Sequence, residues 1–320
     1  MSSVVVLGGT GFVGSALVAR LAAGGHRVRV LTRGVERAKH LSVLPNVEIV
    51  LANVHQPLLL SREFAGCEIV VSLIGILNES GRSGRGFELA HAELARKIVD
   101  AAGSQGVRRL LHMSSLRADA AAPPSHYLRS KGIAERHVRA AAATLDYTIF
   151  RPSVIFGPGD SLLNRFAGLL RLSGGWLPLA KPDARFQPVF VGDVVEAFMR
   201  ALGGGATSRQ SYDLGGPEIV TLQQLVEFTG EMIAVPAKIL RLPDAIARVQ
   251  AFVMDFLPGK PFSTDNYRSL TLDSVCAENG FARLGIVPSS LRAIVPGYLG
   301  PQTSEARLDR FRAAARRTDS

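Results

Sequence analysis

The segment Val4-Val5-Val6-Leu7-Gly8-Gly9-Thr10-Gly11-Phe12-Val13-Gly14 constrains this chain more than any other. Four apolar, mostly β-branched residues read as a strand buried on both faces. Gly8, Gly11 and Gly14 follow at three-residue steps and lead into a helical run over 15–23. A strand that stops at Gly8 and restarts as a helix near Gly11 leaves unpaired N–H groups facing the turn. Together with the helix dipole, those groups suit a pyrophosphate. The glycines permit a tight turn, close approach of backbone to phosphate, and close contact of helix with strand. Glycine turns join many strands to helices without a ligand, so the string alone is a weak signal. Its place between a clean strand and a clean helix is the context that nucleotide binding requires.

The same alternation continues. Arg27-Val28-Arg29-Val30-Leu31, Val47-Glu48-Ile49-Val50-Leu51 and Cys67-Glu68-Ile69-Val70-Val71-Ser72-Leu73-Ile74-Gly75 read as the second to fourth strands. Residues 88–102 carry a helical apolar stripe, and Arg109-Leu110-Leu111-His112-Met113-Ser114-Ser115 is a fifth strand ending in two serines. A helix over 132–144 and the strand Tyr147-Thr148-Ile149-Phe150 come next. This order predicts an α/β fold with a doubly wound parallel sheet. Residues 162–182, rich in Leu and Gly, are expected to leave the sheet. Residues 190–197 are expected to return to it as a strand, turn and helix, and Tyr212-Asp213-Leu214 to form a last short strand. Thr221 is a plausible N-cap for a helix over 222–233. The domain boundaries that follow are a dinucleotide-binding unit over 1–155, rejoined by 187–215, and a smaller C-terminal substrate or lid unit from 156–186 and 216–300. Residues 301–320, rich in Ala and Arg, read as a tail. Ile246, Val249, Phe252, Val253, Phe256 and Leu257 form one broad helical stripe; such a stripe is usually core, and a surface for lipid or a partner is the minority reading.

Composition excludes several classes. At 320 residues and 47% apolar, the chain is globular. Cys67 and Cys276 stand far apart with no Cys/His cluster, so no metal site is expected and a reducing cytoplasm fits. Met1 leads straight into a strand, so no signal peptide is expected, and the longest apolar run is too short to cross a bilayer. The net charge of +10 is scattered, with no basic block interleaved with aromatics, which argues against a nucleic-acid partner. A basic surface draws anionic cofactors and, as a second reading, an anionic membrane surface.

At the end of the second strand, where an acidic residue binds a ribose 2′-hydroxyl and an Arg accommodates a 2′-phosphate, the chain has Arg33. Arg37 and Lys39 lie just beyond, although Glu36 tempers the charge. NADP is therefore expected in preference to NAD. Further on, Tyr127 and Lys131 stand four apart on one helix and project side by side. A phenol with a pKa near 10 is a poor base at neutral pH. An ammonium on the same face stabilises its phenolate, and a serine at the end of the fifth strand polarises a carbonyl or alcohol from the other side.

With these residues in place, the chain resembles the extended and atypical branches of the short-chain dehydrogenase/reductase superfamily, the epimerases, dehydratases and reductases. The resemblance covers almost all of 2–300 and rests on the glycine segment, Ser114-Ser115, Tyr127-Leu128-Arg129-Ser130-Lys131, Arg151-Pro152-Ser153-Val154-Ile155-Phe156-Gly157 and Tyr212-Asp213-Leu214-Gly215-Gly216. It implies a Rossmann sheet and a catalytic set of Ser115, Tyr127 and Lys131. It also implies a cofactor groove lined by Gly8, Thr10, Gly11, Phe12, Val13, Arg33, Asn53, Val54, Leu73, Ile74, Gly75 and Met113, with Tyr127 and Lys131. Pro152, Ser153 and Val154 would pass under the nicotinamide. The chain departs from the family pattern at His91, where Asn is usual, and at Asn53, where Asp is common. A narrower resemblance is carried by Leu163-Asn164-Arg165-Phe166, Gly175-Trp176-Leu177-Pro178-Leu179 and the run from Arg185 to Val194. It is to the NADPH-binding accessory subunit of respiratory complex I and its bacterial homologues. Two expectations follow. One is an oxidoreductase or epimerase acting on a carbonyl or secondary alcohol, its small-molecule substrate apolar or a nucleotide sugar. The other is a non-catalytic cofactor-bound subunit of a respiratory complex, peripheral to the inner membrane. The oligomeric state stays open.

Overall fold

Seven parallel strands run through the middle of the computed structural model, which describes residues 1–258 and 260–300. They are β1 (Ser3–Leu7), β2 (Arg27–Thr32), β3 (Val47–Leu51), β4 (Ile69–Ser72), β5 (Arg109–Met113), β6 (Asp146–Pro152) and β7 (Gln210–Leu214), in the order β7-β6-β5-β4-β1-β2-β3. The central strand β1 pairs with β2 on one side and β4 on the other, Leu7 meeting Leu31 and Ser72. Val4, Val5 and Val6 are almost wholly buried, as the unbroken apolar run requires. Chain direction across the sheet reverses between β1 and β4, and a doubly wound sheet binds ligands at the carboxyl end of that switch point.

Helices cover both faces. On one, α1 (Phe12–Ala23) and α7 (Val191–Ala201) bury Leu17, Val18, Leu21, Val194 and Phe198 against Val4, Val6, Phe150 and Tyr212. On the other, α2 (Pro57–Phe64), α4 (Leu94–Ser104) and α5 (His126–Ala140) bury Leu60, Phe64, Ile98 and Val138 against Val5, Val70 and Ile149. The stripe predicted as one helix over 88–102 is interrupted. A single turn, α3 (Arg85–Phe87), passes through a π-helical stretch over Glu88–Glu93 before α4 begins. The wider turn carries His91 inward, and π-turns of this kind occur frequently at functional sites.

Two expectations need correction. Val189–Phe190 does not rejoin the seven-stranded sheet; it pairs with Ile155–Phe156 in a separate two-stranded ladder, because the loop after β6 diverges from the sheet before the pair forms. The second correction concerns α9 (Asp244–Met254). Only Ala247 and Ala251 of this helix are buried, packed with Ala180 and Tyr267, while Val249 and Phe252, and Phe256 just beyond its end, are 62%, 49% and 68% exposed. The stripe is surface, not core, because the helix approaches its neighbours through small residues. The remaining C-terminal elements build another core in which α6 (Leu162–Leu172) contributes Leu163, Phe166 and Leu170, and α8 (Leu222–Met232) contributes Leu225 and Val226. α8 starts in a capping box, Thr221 Oγ1 accepting from the Gln224 amide and Gln224 Oε1 from the Thr221 amide. The expected tail over 301–320 lies outside the described residues. Among those described, no helix is long and apolar enough to cross a membrane.

Candidate functional site

The turn between β1 and α1 explains its glycines by contact. Gly8 sits at φ +82°, and a Cβ there would stand 3.0 Å from the Ile74 amide nitrogen. A Cβ on Gly14 would lie 2.1 Å from the Gly8 carbonyl oxygen, so α1 can pass this close only without a side chain. Gly11 is the N-cap of α1, and no side chain caps the helix. Its first-turn N–H groups therefore face the groove without a side-chain acceptor, the arrangement that favours an anion. Thr10 and Phe12 are half-buried on this turn, whereas Val13 is core. Phe12 reaches across to Gly157 in the loop beyond β6, where a Cβ would lie 3.5 Å from the ring. This cradle fits a dinucleotide pyrophosphate.

Arg33 leaves β2 at an exposed turn fixed by Thr32, whose Oγ1 accepts from the Gly34 amide and donates to its carbonyl. Glu36, the charge expected to temper it, pairs with Lys39 at 2.6 Å instead. Arg33 makes no ion pair among the described residues. It shares an edge with His55, whose imidazole is held below its ordinary pKa by partial burial and by Lys97 and Arg33. Asn53 is exposed and its Oδ1 accepts from the His55 amide at 3.1 Å, so its side chain shapes this turn; Val54 beneath it is buried.

Leu73, Ile74 and Gly75 follow β4 past Gly8 toward α5. Lys131, on α5, is buried and donates from Nζ to the Met113 carbonyl at 3.0 Å. A Cβ on Gly75 would lie 3.4 Å from that Nζ and 3.6 Å from His91 Nε2, so Gly75, Lys131 and His91 converge at one point. Burial lowers the Lys131 ammonium to about 8 against the opposing pull of Glu135. Tyr127 stands one turn earlier. Burial raises its phenol above the ordinary value, and the neighbouring Ser115 hydroxyl counters part of that rise. Ser115 Oγ also donates to the Leu116 carbonyl at 3.2 Å. Phe87 and His91 present rings edge-on to Tyr127 at 6.0 and 5.6 Å.

Behind this set, α5 is clamped to β6. Burial by itself raises the Glu135 carboxyl, but bonds from Arg151, with further help from the Arg139 charge, hold it below its usual range. Arg151 Nε donates to Glu135 Oε1 at 2.7 Å and its Nη2 bonds Oε2. His112 lies fully inside the same layer and is lowered to about 3 by burial and by Lys131. After β6, Ser153 gives its hydroxyl to the Ser274 carbonyl at 2.7 Å, and Val154 accepts from the Val189 amide. Ser153 thus ties the loop to the C-terminal segment, leaving the backbone of 152–154 to border the groove.

Two residues here carried little or no warning in the sequence. His91 stood out there only as a departure from the family Asn. Its Nε2 accepts from the Ile76 amide at 3.0 Å, and its Nδ1 meets Ser130 Oγ at 2.8 Å, which in turn donates to the Tyr127 carbonyl. Asp265, in α10 (Thr264–Ser269), accepts from the amides of His126 and Tyr127 at 2.7 and 3.1 Å, joining the Ser125 cap at the start of α5. Its partners lie well over a hundred residues upstream, so no local pattern announces it. A polar cavity of about 230 Å³ opens between residues 79–87 and α10, with Phe87 between it and Tyr127.

The family model described as NAD(P)H-binding matches residues 8–160, the part of the chain that holds the cradle and the Tyr127 helix, which makes this an NAD(P)-binding protein of Rossmann type. Two relatives narrow the class. NADH dehydrogenase (ubiquinone) 1 alpha subcomplex subunit 9, mitochondrial, of Arabidopsis thaliana is 32% identical over 312 residues, covering 92% of this chain and 76% of the relative. Ceramide reductase of Caulobacter vibrioides is 31% identical over 248 residues, covering 75% and 74%. The chain belongs to the family of this alpha subcomplex subunit. The structure of MoeE5 in complex with UDP-glucose and NAD superposes with a TM-score of 0.73 at 19% identity, covering 93% of this chain and 97% of that one, and shares the fold.

Proposed function

We propose that the protein is an NADPH-dependent reductase, or the reverse alcohol dehydrogenase, acting on a carbonyl borne by an apolar molecule. The observation that carries this reading is the juxtaposition of Ser115, Tyr127 and Lys131 beside Gly75, at the mouth of the glycine cradle. A nicotinamide dinucleotide, when bound, supplies or accepts a hydride. The chain's residues do the rest. Gly8, Gly11 and the first turn of α1 hold the pyrophosphate, and Arg33 pairs with the 2′-phosphate. Ser115 donates a hydrogen bond to the substrate oxygen. Tyr127, a neutral phenol whose pKa burial has raised, gives its proton to that oxygen during reduction. Lys131 balances the phenolate and can reach the nicotinamide ribose. The apolar substrate is favoured over a nucleotide sugar by the Leu-rich stretch 162–179, by the exposed face of α9, and by a relative named for ceramide reduction.

A second reading, a cofactor-holding subunit of a membrane complex, is supported by the alpha subcomplex relative. NADPH oxidation over a panel of long-chain ketones separates the two. For an enzyme, Tyr127→Phe should lower turnover by about 10²–10⁴ while NADPH affinity shifts little. Full activity in that variant removes Tyr127 from the mechanism, and absence of turnover in the wild type on every carbonyl favours the subunit.

A further inference from the structure

α9 is built with its small residues inward and its large ones outward. Ala247 and Ala251 are at most 1% exposed, while Ile246, Val249, Phe252 and Val253 of the helix, with Phe256 and Leu257 of the turn that follows it, each leave about half or more of their surface in water. Exposed Leu77 belongs to the segment strapped to this region, its carbonyl accepting from Asn266 Nδ2 at 3.2 Å. Soluble surfaces scatter single apolar residues; a continuous stripe of six marks something that covers it.

The rim of the stripe says what. The Arg82 guanidinium lies 4.4 Å from the Phe252 ring centre and 5.5 Å from that of Phe256, and pairs with Asp255 at 3.2 Å. Beside it, Lys260 and Arg268 line the 230 Å³ cavity. The acids of that cavity are turned inward. Glu79 takes the amides of Gly84 and Gly86, Asp255 takes Arg82 and Thr264, and Asp265 takes the start of α5. Arg268 and nearby exposed Arg85 form no ion pair among the described residues, and neither does Lys260, whose Nζ donates to the Gly81 carbonyl and to no carboxylate. An apolar stripe with unpaired cations at its edge, on a chain of net charge +10, is complementary to an anionic phospholipid surface rather than to a neutral apolar partner.

We infer that α9 and the 77–85 strap form a docking face for an anionic bilayer, with Phe252 and Phe256 entering the acyl boundary and Lys260 and Arg268 meeting lipid phosphates. This deepens the apolar-substrate part of the proposed function, since it presents the site to molecules dissolved in the membrane. The strap connects the face to the site directly: it leaves Gly75 and Ile76 and runs to Arg82.

The test is co-sedimentation of the full chain with vesicles of phosphatidylcholine alone or mixed with phosphatidylglycerol, with NADPH binding measured in parallel as the check on folding. Wild type should bind the mixed vesicles, less so as salt rises. The double variant Phe252→Ser/Phe256→Ser should bind about tenfold or more weakly, and Arg268→Gln roughly fivefold more weakly. The inference is overturned if wild type ignores phosphatidylglycerol, if the double variant binds as wild type does, or if sedimentation velocity shows the double variant splitting a dimer, which would assign the face to a second copy of the chain. Turnover of a vesicle-borne ketone is scored separately. Vesicle binding without turnover leaves the docking face standing and removes the enzyme; turnover without vesicle binding does the reverse.

Discussion

The imidazole of His91 accepts the Ile76 amide through Nε2 at 3.0 Å, and so fixes the backbone one residue beyond Gly75, where the cofactor groove meets Lys131. Burial and the Lys131 charge hold the ring down to about 2, so it stays neutral at any working pH. With Nε2 accepting, Nδ1 carries the proton and donates to Ser130, whose hydroxyl passes the order on to the Tyr127 carbonyl. One residue therefore ties the segment after β4 to the helix carrying the phenol.

His91→Leu leaves the Ile76 amide without its acceptor and should cost about 1–3 kcal/mol of stability. NADPH affinity should fall with it, because Gly75 is no longer pinned beside Lys131. His91→Asn offers an acceptor again and should recover part of both. Thermal melts with and without NADPH check this; equal melting of the leucine variant and wild type would reduce the contact to coincidence.

In the proposed function Arg33 is the residue that would set the cofactor preference. It stands exposed at the end of β2, and the one acid close in sequence, Glu36, is held by Lys39. Arg33→Ala should weaken NADPH binding by about ten- to a hundredfold, the loss of one charge-assisted bond of roughly 1.5–3 kcal/mol, and leave NADH nearly unchanged. Titration of both dinucleotides by fluorescence reads the difference directly, and equal losses would remove the 2′-phosphate from the argument.

How far the sequence reached depends on the range of each cause. The Gly8–Gly14 turn was legible because its constraint is local: Gly14 must clear the carbonyl of Gly8, six residues back in the same turn. Tyr127 and Lys131 were legible as a pair because a helix places fourth neighbours on one face. Asp265 was not, since it caps α5 from across the molecule. His91 carried a signal only as a departure from a family pattern, and its π-turn has no periodicity of its own. The α9 stripe shows the limit most clearly. Periodicity identifies an apolar face but not what lies against it, and here Ala247 and Ala251 fit closely on Ala180 and Tyr267 while the larger side chains are left outside. The Val189–Phe190 pair failed for a related reason, because a two-residue strand takes its partner from the path of the chain rather than from its own composition.

Lys131 gives a prediction in which rate and stability move in opposite directions. Its ammonium is lowered by burial to about 8, from 10.5 in an unfolded chain. Between those values the unfolded state binds more protons than the folded one, so this group adds stability as pH rises from about 8 to 10.5. Below 8 both states are protonated and the folded state bears the cost of a buried charge. In the proposed reduction the charged form balances the Tyr127 phenolate, so kcat/KM should fall as pH climbs through about 8 in the same range where the fold gains from the group. Tyr127 cannot produce that limb, since burial has moved its phenol upward from 10. Lys131→Arg keeps its charge throughout and should shift the limb upward at reduced rate. Lys131→Met should lose both NADPH affinity and turnover and flatten the profile. A pH series of kcat/KM beside thermal melts decides the matter. A limb at 8 that persists in the arginine variant, or one that coincides with loss of the folded state, assigns the titration to another group.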